Sequence, residues 1–127
     1  MRLPERTPEQ DDELIHAAHA SRYHWAEVGT AANLARGEWQ VSRVYATLGR
    51  AEPALYHARR CLAYCEDRDV LEDWDLPYAY EALARAHVVA GDTVEAKRFG
   101  DQARELGERI EDDEDREQLA ADLATLP

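Results

Sequence analysis

The sequence is poor in cysteine, proline and glycine, since its 127 residues include only two Cys, five Pro and six Gly. At 45% hydrophobic and 33% charged residues, it is typical of a globular chain rather than a disordered one. No apolar run approaches the length that spans a bilayer, and no hydrophobic stretch resembles a signal peptide. Free thiols without an export signal are typical of a reducing compartment, so we expect a cytoplasmic protein.

Positive charge is also scarce, with 15 Lys and Arg against 27 Asp and Glu, a net charge of −12. Such a field repels polyanions, so we predict neither nucleic acid nor an anionic membrane as a partner. Solubility alone explains the acidic excess, and a basic partner is the alternative explanation. The length fits one domain, residues 1–127.

Catalytic motifs are missing as well. There is no Gly-rich phosphate loop and no nucleophile elbow. Cys61 and Cys65 share one face of a predicted helix, but no second Cys or His pair lies at zinc-finger spacing, so we expect both in the core. The acidic run 111–115 lacks the glycine of a calcium loop and is typical of a solvated helix start. We therefore predict no cofactor.

The sequence does contain helical periodicity with defined starts and stops. Thr7 with Gln10 and Asp92 with Glu95 have the spacing of capping boxes, and Asp75 is expected to cap a helix between them. No segment alternates apolar and β-branched residues with polar ones, so we predict no sheet. The fold class is therefore all-α, with six antiparallel helices paired as αα-hairpins. After a loose tail at 1–6, the predicted helices cover residues 7–29, 33–48, 52–65, 75–91, 92–110 and 113–125.

Two of the predicted hairpins share one register, in which a large residue precedes a glycine by four positions and an alanine follows that glycine by five. This register resembles the tetratricopeptide-repeat (TPR) family over about residues 35–110. The corresponding positions are Tyr45, Gly49 and Ala54 in one hairpin and His87, Gly91 and Ala96 in the other.

The resemblance implies hairpin repeats over residues 33–110, flanked by capping helices at 7–29 and 113–125, in a short right-handed superhelix. Some positions depart from the family pattern. Gly91 follows Gly49 by 42 residues, whereas the usual step is about 34 residues. Ala58 and Gly100 stand where the family has a larger residue.

The resemblance also implies a partner-binding groove on the first helix of each hairpin. Arginine binds carboxylates in bidentate fashion and aromatic rings offer flat apolar contacts, so such a groove fits an acidic peptide terminus or a small anion. A structural role is the alternative, with an i,i+4 ion pair between Glu81 and Arg85, and with Arg36 paired to Glu38 or Glu52. The predicted groove residues are Arg36, Trp39, Arg43, Tyr78, Glu81 and Arg85.

A second set of polar residues lies on the first helix. Asp12, His16, His19 and Tyr23 are spaced four, three and four apart, so they share one stripe. Two imidazoles and a carboxylate can bind a divalent metal or act as an acid–base set. Hydrogen-bonded structural histidines are the alternative, because the stripe lacks the glutamate of the His-Glu-x-x-His zinc helix.

Three functions follow from these patterns. The first is a protein–protein interaction or scaffold module that binds a peptide or protein partner in the arginine–aromatic groove. The second is a homodimer of structural role, because C2 dimers are the commonest oligomers. The third is a small metal-dependent or acid–base enzyme that uses the Asp12, His16 and His19 stripe.

Overall fold

A computed structural model describes residues 6–28, 31–66 and 72–127. Its described residues form helices without strands, which confirms the predicted all-α class. The fifth helix ends three residues before Ile110, and the other described boundaries lie within two residues of the prediction. The Gly29 stop and residues 1–5 of the tail lie outside the described residues. The six helices are α1 (Pro8–Val28), α2 (Ala31–Thr47), α3 (Ala51–Cys65), α4 (Asp75–Ala90), α5 (Thr93–Gly107) and α6 (Asp113–Ala124).

The predicted capping signals differ in how fully they form. At α1 the box is complete, since the Thr7 hydroxyl accepts from the Gln10 amide at 3.1 Å and the Gln10 side chain accepts from the Thr7 amide at 2.9 Å. At α5 Asp92 accepts from the Glu95 amide at 3.1 Å. The Glu95 carboxylate instead pairs with Arg98, so only half of the second box is made.

Asp75 does not cap α4 as predicted. Trp74 occupies the N-cap position and makes no side-chain cap bond. Asp75 is the first helical residue and is buried, and its carboxylate accepts a hydrogen bond from the Glu72 amide at 2.9 Å. The same carboxylate binds Arg36 of α2, so its role is to join two helices.

The turns after α2 and α4 have the same geometry. Gly49 and Gly91 adopt positive φ angles of 74° and 80°. The Arg50 amide donates to the Tyr45 carbonyl at 2.9 Å, and the Asp92 amide donates to the His87 carbonyl at 2.9 Å. These bonds close both helices in the Schellman manner, so the repeated register in the sequence corresponds to a repeated turn.

Consecutive helices pack against one another, and α2, α4 and α6 also lie side by side, with α2 against α4 and α4 against α6. Small residues allow close approach between them, because Ala54, Ala58 and Ala79 are fully buried. Cys61 and Cys65 are buried free thiols, as expected from the sequence. The side-by-side arrangement leaves one surface shared by α2, α4 and α6, and four of the predicted groove residues lie there.

Candidate binding pocket

The surface shared by α2, α4 and α6 contains a cavity of about 560 Å³. Four of the six predicted groove residues line it: Arg36, Trp39, Arg43 and Tyr78. Ala35 and Cys61, both almost fully buried, contribute apolar surface from α2 and α3. The remaining lining residues, none of them in the predicted groove set, are Trp74, Asp75, Asp115, Gln118 and Asp122.

Three aromatic rings meet at this cavity. Tyr78 lies edge to face with Trp39, with centroids 5.6 Å apart and planes 85° apart. Tyr78 makes a similar contact with Trp74, at 6.4 Å and 87°. Such perpendicular contacts are favourable because the positive edge of one ring meets the negative face of another. The rings therefore give the cavity walls that are approximately perpendicular to one another.

Glu81 lies beneath the pocket rather than in it. Its side chain is 0% exposed, so it does not contact a partner as the groove prediction required. Its carboxylate accepts hydrogen bonds from Trp39 Nε1 at 3.0 Å, from Arg85 Nε at 2.8 Å and from Arg43 Nη1 at 3.4 Å. A buried carboxylate needs such donors, and here they hold Trp39 and Arg43 in the pocket wall.

Arg85 has a structural role in addition to the predicted i,i+4 pair with Glu81. Its Nη2 donates to the Asp122 carbonyl at 3.0 Å and to the Thr125 hydroxyl at 2.8 Å. These bonds attach the end of α6 to α4. Arg85 does not line the cavity, so the structure separates it from the other two groove arginines.

Arg36 pairs with Asp75, not with Glu38 or Glu52. Its Nε and Nη2 donate to the two oxygens of Asp75, both at 3.0 Å, and its guanidinium lies 4.2 Å from the centroid of the Trp74 ring. The bidentate contact places a positive charge against the buried carboxylate of Asp75. The Arg36 charge is therefore balanced within the protein.

The α6 side of the pocket was missed at the sequence level. Asp115, Gln118 and Asp122 follow one another at spacings of three and four, so they lie on one face of α6. That spacing was a usable signal, because the face adjoins the apolar stripe of Leu119 and Leu123. Only the packing of α6 beside α4 shows that this face meets the aromatic residues.

The ionisable hydroxyl and thiol at the pocket are held in their neutral forms. Burial, together with the hydrogen bond from the Tyr78 hydroxyl to Asp122 Oδ2 at 2.8 Å, raises the pKa of Tyr78. A hydrogen bond with Cys65 and then burial raise the pKa of the Cys61 thiol well above its ordinary value. A protonated thiol is a poor nucleophile.

The predicted His and Asp stripe on α1 is not gathered into a site. Asp12 and His16 are exposed, whereas His19 is half-buried and hydrogen-bonded to the Tyr45 hydroxyl at 2.9 Å. Across residues 6–28, 31–66 and 72–127, no three His, Cys, Asp or Glu side chains are grouped as metal ligands. Within the described structure, His19 therefore has a hydrogen-bonding role.

A third buried carboxylate, Glu38, accepts from Arg22 Nε at 2.7 Å and is hydrogen-bonded to His57 Nδ1 at 2.6 Å. His57 lies edge to face with His19, at 5.4 Å between centroids. Burial raises the pKa of Glu38, but the hydrogen bonds from His57 and Arg22 outweigh it, so that the net shift is downward. This cluster joins α1, α2 and α3.

Comparison with protein-family models, curated proteins and solved structures finds no match to this chain. None of the helices in the described ranges is long and apolar enough to cross a membrane.

Proposed function

We propose that this protein is a non-catalytic interaction module and that its pocket between α2, α4 and α6 binds a side chain of a peptide or protein partner. The observation that carries the proposal is the cavity of about 560 Å³ with three aromatic residues in its walls. Binding cavities are typically a few hundred to about 1,000 Å³ in volume, with apolar walls and a few polar groups. The tetratricopeptide resemblance supports the same surface, because that family binds partners on the first helix of each hairpin.

The rigidity of the walls favours recognition of a protruding side chain. Trp39 is held by Glu81, Tyr78 by Asp122, and Trp74 lies under the Arg36 guanidinium. Preorganised groups lose little conformational freedom on binding, which strengthens the affinity that a small contact area can give. The pocket residues come from separate helices, so the site depends on the assembled fold.

A selection from a displayed library of random short peptides tests the proposal. Gln118 is exposed and lines the cavity, so Gln118→Trp fills the pocket without disturbing the core. Gln40 is exposed on α2 and outside the cavity, so Gln40→Trp is the matched control. We expect peptides that bind the unmodified protein and Gln40→Trp but not Gln118→Trp.

Retention of every selected peptide by Gln118→Trp would contradict the proposal, because binding would then not involve the pocket. Light scattering on all three proteins checks that the tryptophan has not changed the oligomeric state. Circular dichroism and urea unfolding check that Gln118→Trp retains the helical fold.

A further inference from the structure

The charges around the pocket are distributed unevenly between its walls. The arginines on the α2 side already have carboxylate partners: Arg36 binds Asp75 through two hydrogen bonds, and Arg43 binds Glu81. The α6 side presents Asp115 and Asp122. In the part of the chain that the structure describes, neither of these two carboxylates forms an ion pair with Lys, Arg or His. The pocket carboxylates that have no cationic partner therefore both lie on the α6 wall.

Asp122 has a defined orientation. The Tyr78 hydroxyl donates to Asp122 Oδ2 at 2.8 Å, so one carboxylate oxygen is directed toward the aromatic wall. The other oxygen and the Asp115 carboxylate remain free for a ligand donor, because no side chain of the described residues donates a hydrogen bond to them. Carboxylates beside aromatic faces are the usual surroundings of a bound ammonium or guanidinium group.

We propose that the pocket binds a lysine or arginine side chain presented by a basic segment of a partner protein. This inference rests on the proposed function and specifies the partner's chemistry. The cationic head pairs with Asp115 and Asp122, and the aliphatic stem packs against the rings of Trp39 and Tyr78. Apolar stems and charged heads of this kind fit a cavity with aromatic walls and a polar rim.

An acidic ligand fits the same pocket less well. The arginines that it could approach, Arg36 and Arg43, are 38% and 31% exposed, and both already bind carboxylates of the protein. Its negative charge would also lie close to Asp115 and Asp122, and like charges at an interface oppose association. The net charge of −12 acts in the same direction, since it repels an acidic segment and attracts a basic one.

The composition of the selected pocket-dependent peptides distinguishes these cases. Enrichment in Lys or Arg supports the inference. Enrichment in Asp or Glu, or in uncharged residues, overturns the inference and leaves the proposed function intact. If every selected peptide, basic peptides included, still binds Gln118→Trp, both proposals fail.

Matched charge variants locate the contact. One selected basic peptide is titrated by calorimetry against the unmodified protein, Asp115→Asn/Asp122→Asn, and Glu114→Gln/Glu117→Gln. Both double variants remove the same charge from α6, but Glu114 and Glu117 are exposed and lie outside the cavity. We expect Asp115→Asn/Asp122→Asn to weaken binding by about tenfold or more, as the loss of close charge pairs does, and the control pair to weaken it by less than about threefold.

Equal losses in the two double variants would overturn the assignment of these carboxylates, because the peptide would then sense only overall charge. Replacing each Lys or Arg of the peptide with Gln in turn identifies the residue that enters the pocket. We expect one position to carry most of the loss, and we expect that loss to shrink in Asp115→Asn/Asp122→Asn. If the losses were the same in both proteins, the basic side chain would not contact these carboxylates, which would also overturn the inference.

Discussion

At the scale of single residues, Glu81 supports the pocket because its fully buried carboxylate binds groups from two helices. Removing a carboxylate from water is costly unless hydrogen bonds replace the lost hydration. Arg85, Trp39 and Arg43 provide those bonds, and Arg85 makes the shorter of the two arginine contacts, at 2.8 Å against 3.4 Å. The two arginines therefore differ in their importance for stability, although both contact the same oxygen.

We expect Arg85→Ala to destabilise the protein by about 3 kcal/mol, because it leaves a buried carboxylate with fewer donors and releases α6 from α4. Arg43→Ala is expected to cost about 1 kcal/mol, since a long and partly exposed contact contributes little. Urea unfolding, monitored by circular dichroism, measures both free-energy changes. Equal losses for the two variants would contradict the assignment of Arg85 as the principal partner of Glu81.

Acid is expected to destabilise the contact between α1, α2 and α3 through two groups. Burial and then the neighbouring His57 lower the pKa of His19 from its ordinary value of 6.5. Despite burial, hydrogen bonds from His57 and Arg22 lower the pKa of Glu38 from 4.5. At both positions the unfolded chain takes up a proton at higher pH than the folded chain does. The stabilisation is therefore complete above each ordinary pKa and is lost as the pH falls through the lower folded pKa.

His19→Gln tests the first of these steps, because glutamine can still bond the Tyr45 hydroxyl but does not titrate. We expect the urea midpoint of His19→Gln to fall less than that of the unmodified protein between about pH 7 and about pH 5. The control is His16→Gln, an exposed position on the same helix. If the His19 and His16 variants depend on pH to the same extent as the unmodified protein, His19 does not contribute to acid sensitivity.

At the scale of helices, local signals predicted the start of α1, whose interacting groups are close in sequence. The Thr7 and Gln10 box could be predicted because both partners lie within one helical turn. The role of Asp75 could not, because its partner Arg36 is 39 residues away and the pairing depends on how α2 and α4 pack. A carboxylate just before an apolar stripe has the same local pattern whether it caps the helix or binds a neighbouring one.

The same distinction applies to the pocket. Arg36, Trp39, Arg43 and Tyr78 were predicted because the tetratricopeptide resemblance implies a groove on the first helix of each hairpin. The α6 residues lie on a short helix outside the two matched hairpins, so no register related Asp115 or Asp122 to the groove. The burial of Glu81 was missed for a related reason, since the sequence does not show how closely α2 approaches α4.

Two glycine substitutions on one hairpin are expected to have opposite effects. Gly91→Ala forces an alanine into the left-handed region at φ 80°, although an added Cβ would meet no atom within 4 Å. We expect a loss of about 1 kcal/mol from backbone strain. In α5, the Cβ of Gly100→Ala would lie 3.2 Å from the mobile end of Arg104, and higher helix propensity is expected to add about 0.5 kcal/mol.

Thermal unfolding of the two glycine variants measures these effects. A decreased midpoint for Gly91→Ala with an increased midpoint for Gly100→Ala is the expected pair of results. Destabilisation by Gly100→Ala would show that Arg104 cannot move aside, and an unchanged midpoint for Gly91→Ala would contradict the positive φ at the hairpin turn.

At the scale of the whole molecule, the overall field and the pocket are expected to affect different steps of binding. The protein has a net charge of −12. Salt screens its field beyond the Debye length, which is about 30 Å at 0.01 M and about 8 Å at physiological ionic strength. Long-range attraction accelerates the encounter with a basic segment, whereas contacts inside the pocket slow its departure. Salt and pocket substitutions are therefore expected to change different rate constants.

Stopped-flow fluorescence from the pocket tryptophans can separate the two rate constants for a selected basic peptide. We expect the association rate constant to fall by about tenfold or more from low to physiological salt, with a much smaller change in the dissociation rate constant. Asp115→Asn/Asp122→Asn is expected to increase mainly the dissociation rate constant, because it removes contacts made only in the complex. If salt instead acted mainly on dissociation, or this variant mainly on association, the pocket carboxylates would be part of the general acidic field and not direct contacts to the bound side chain.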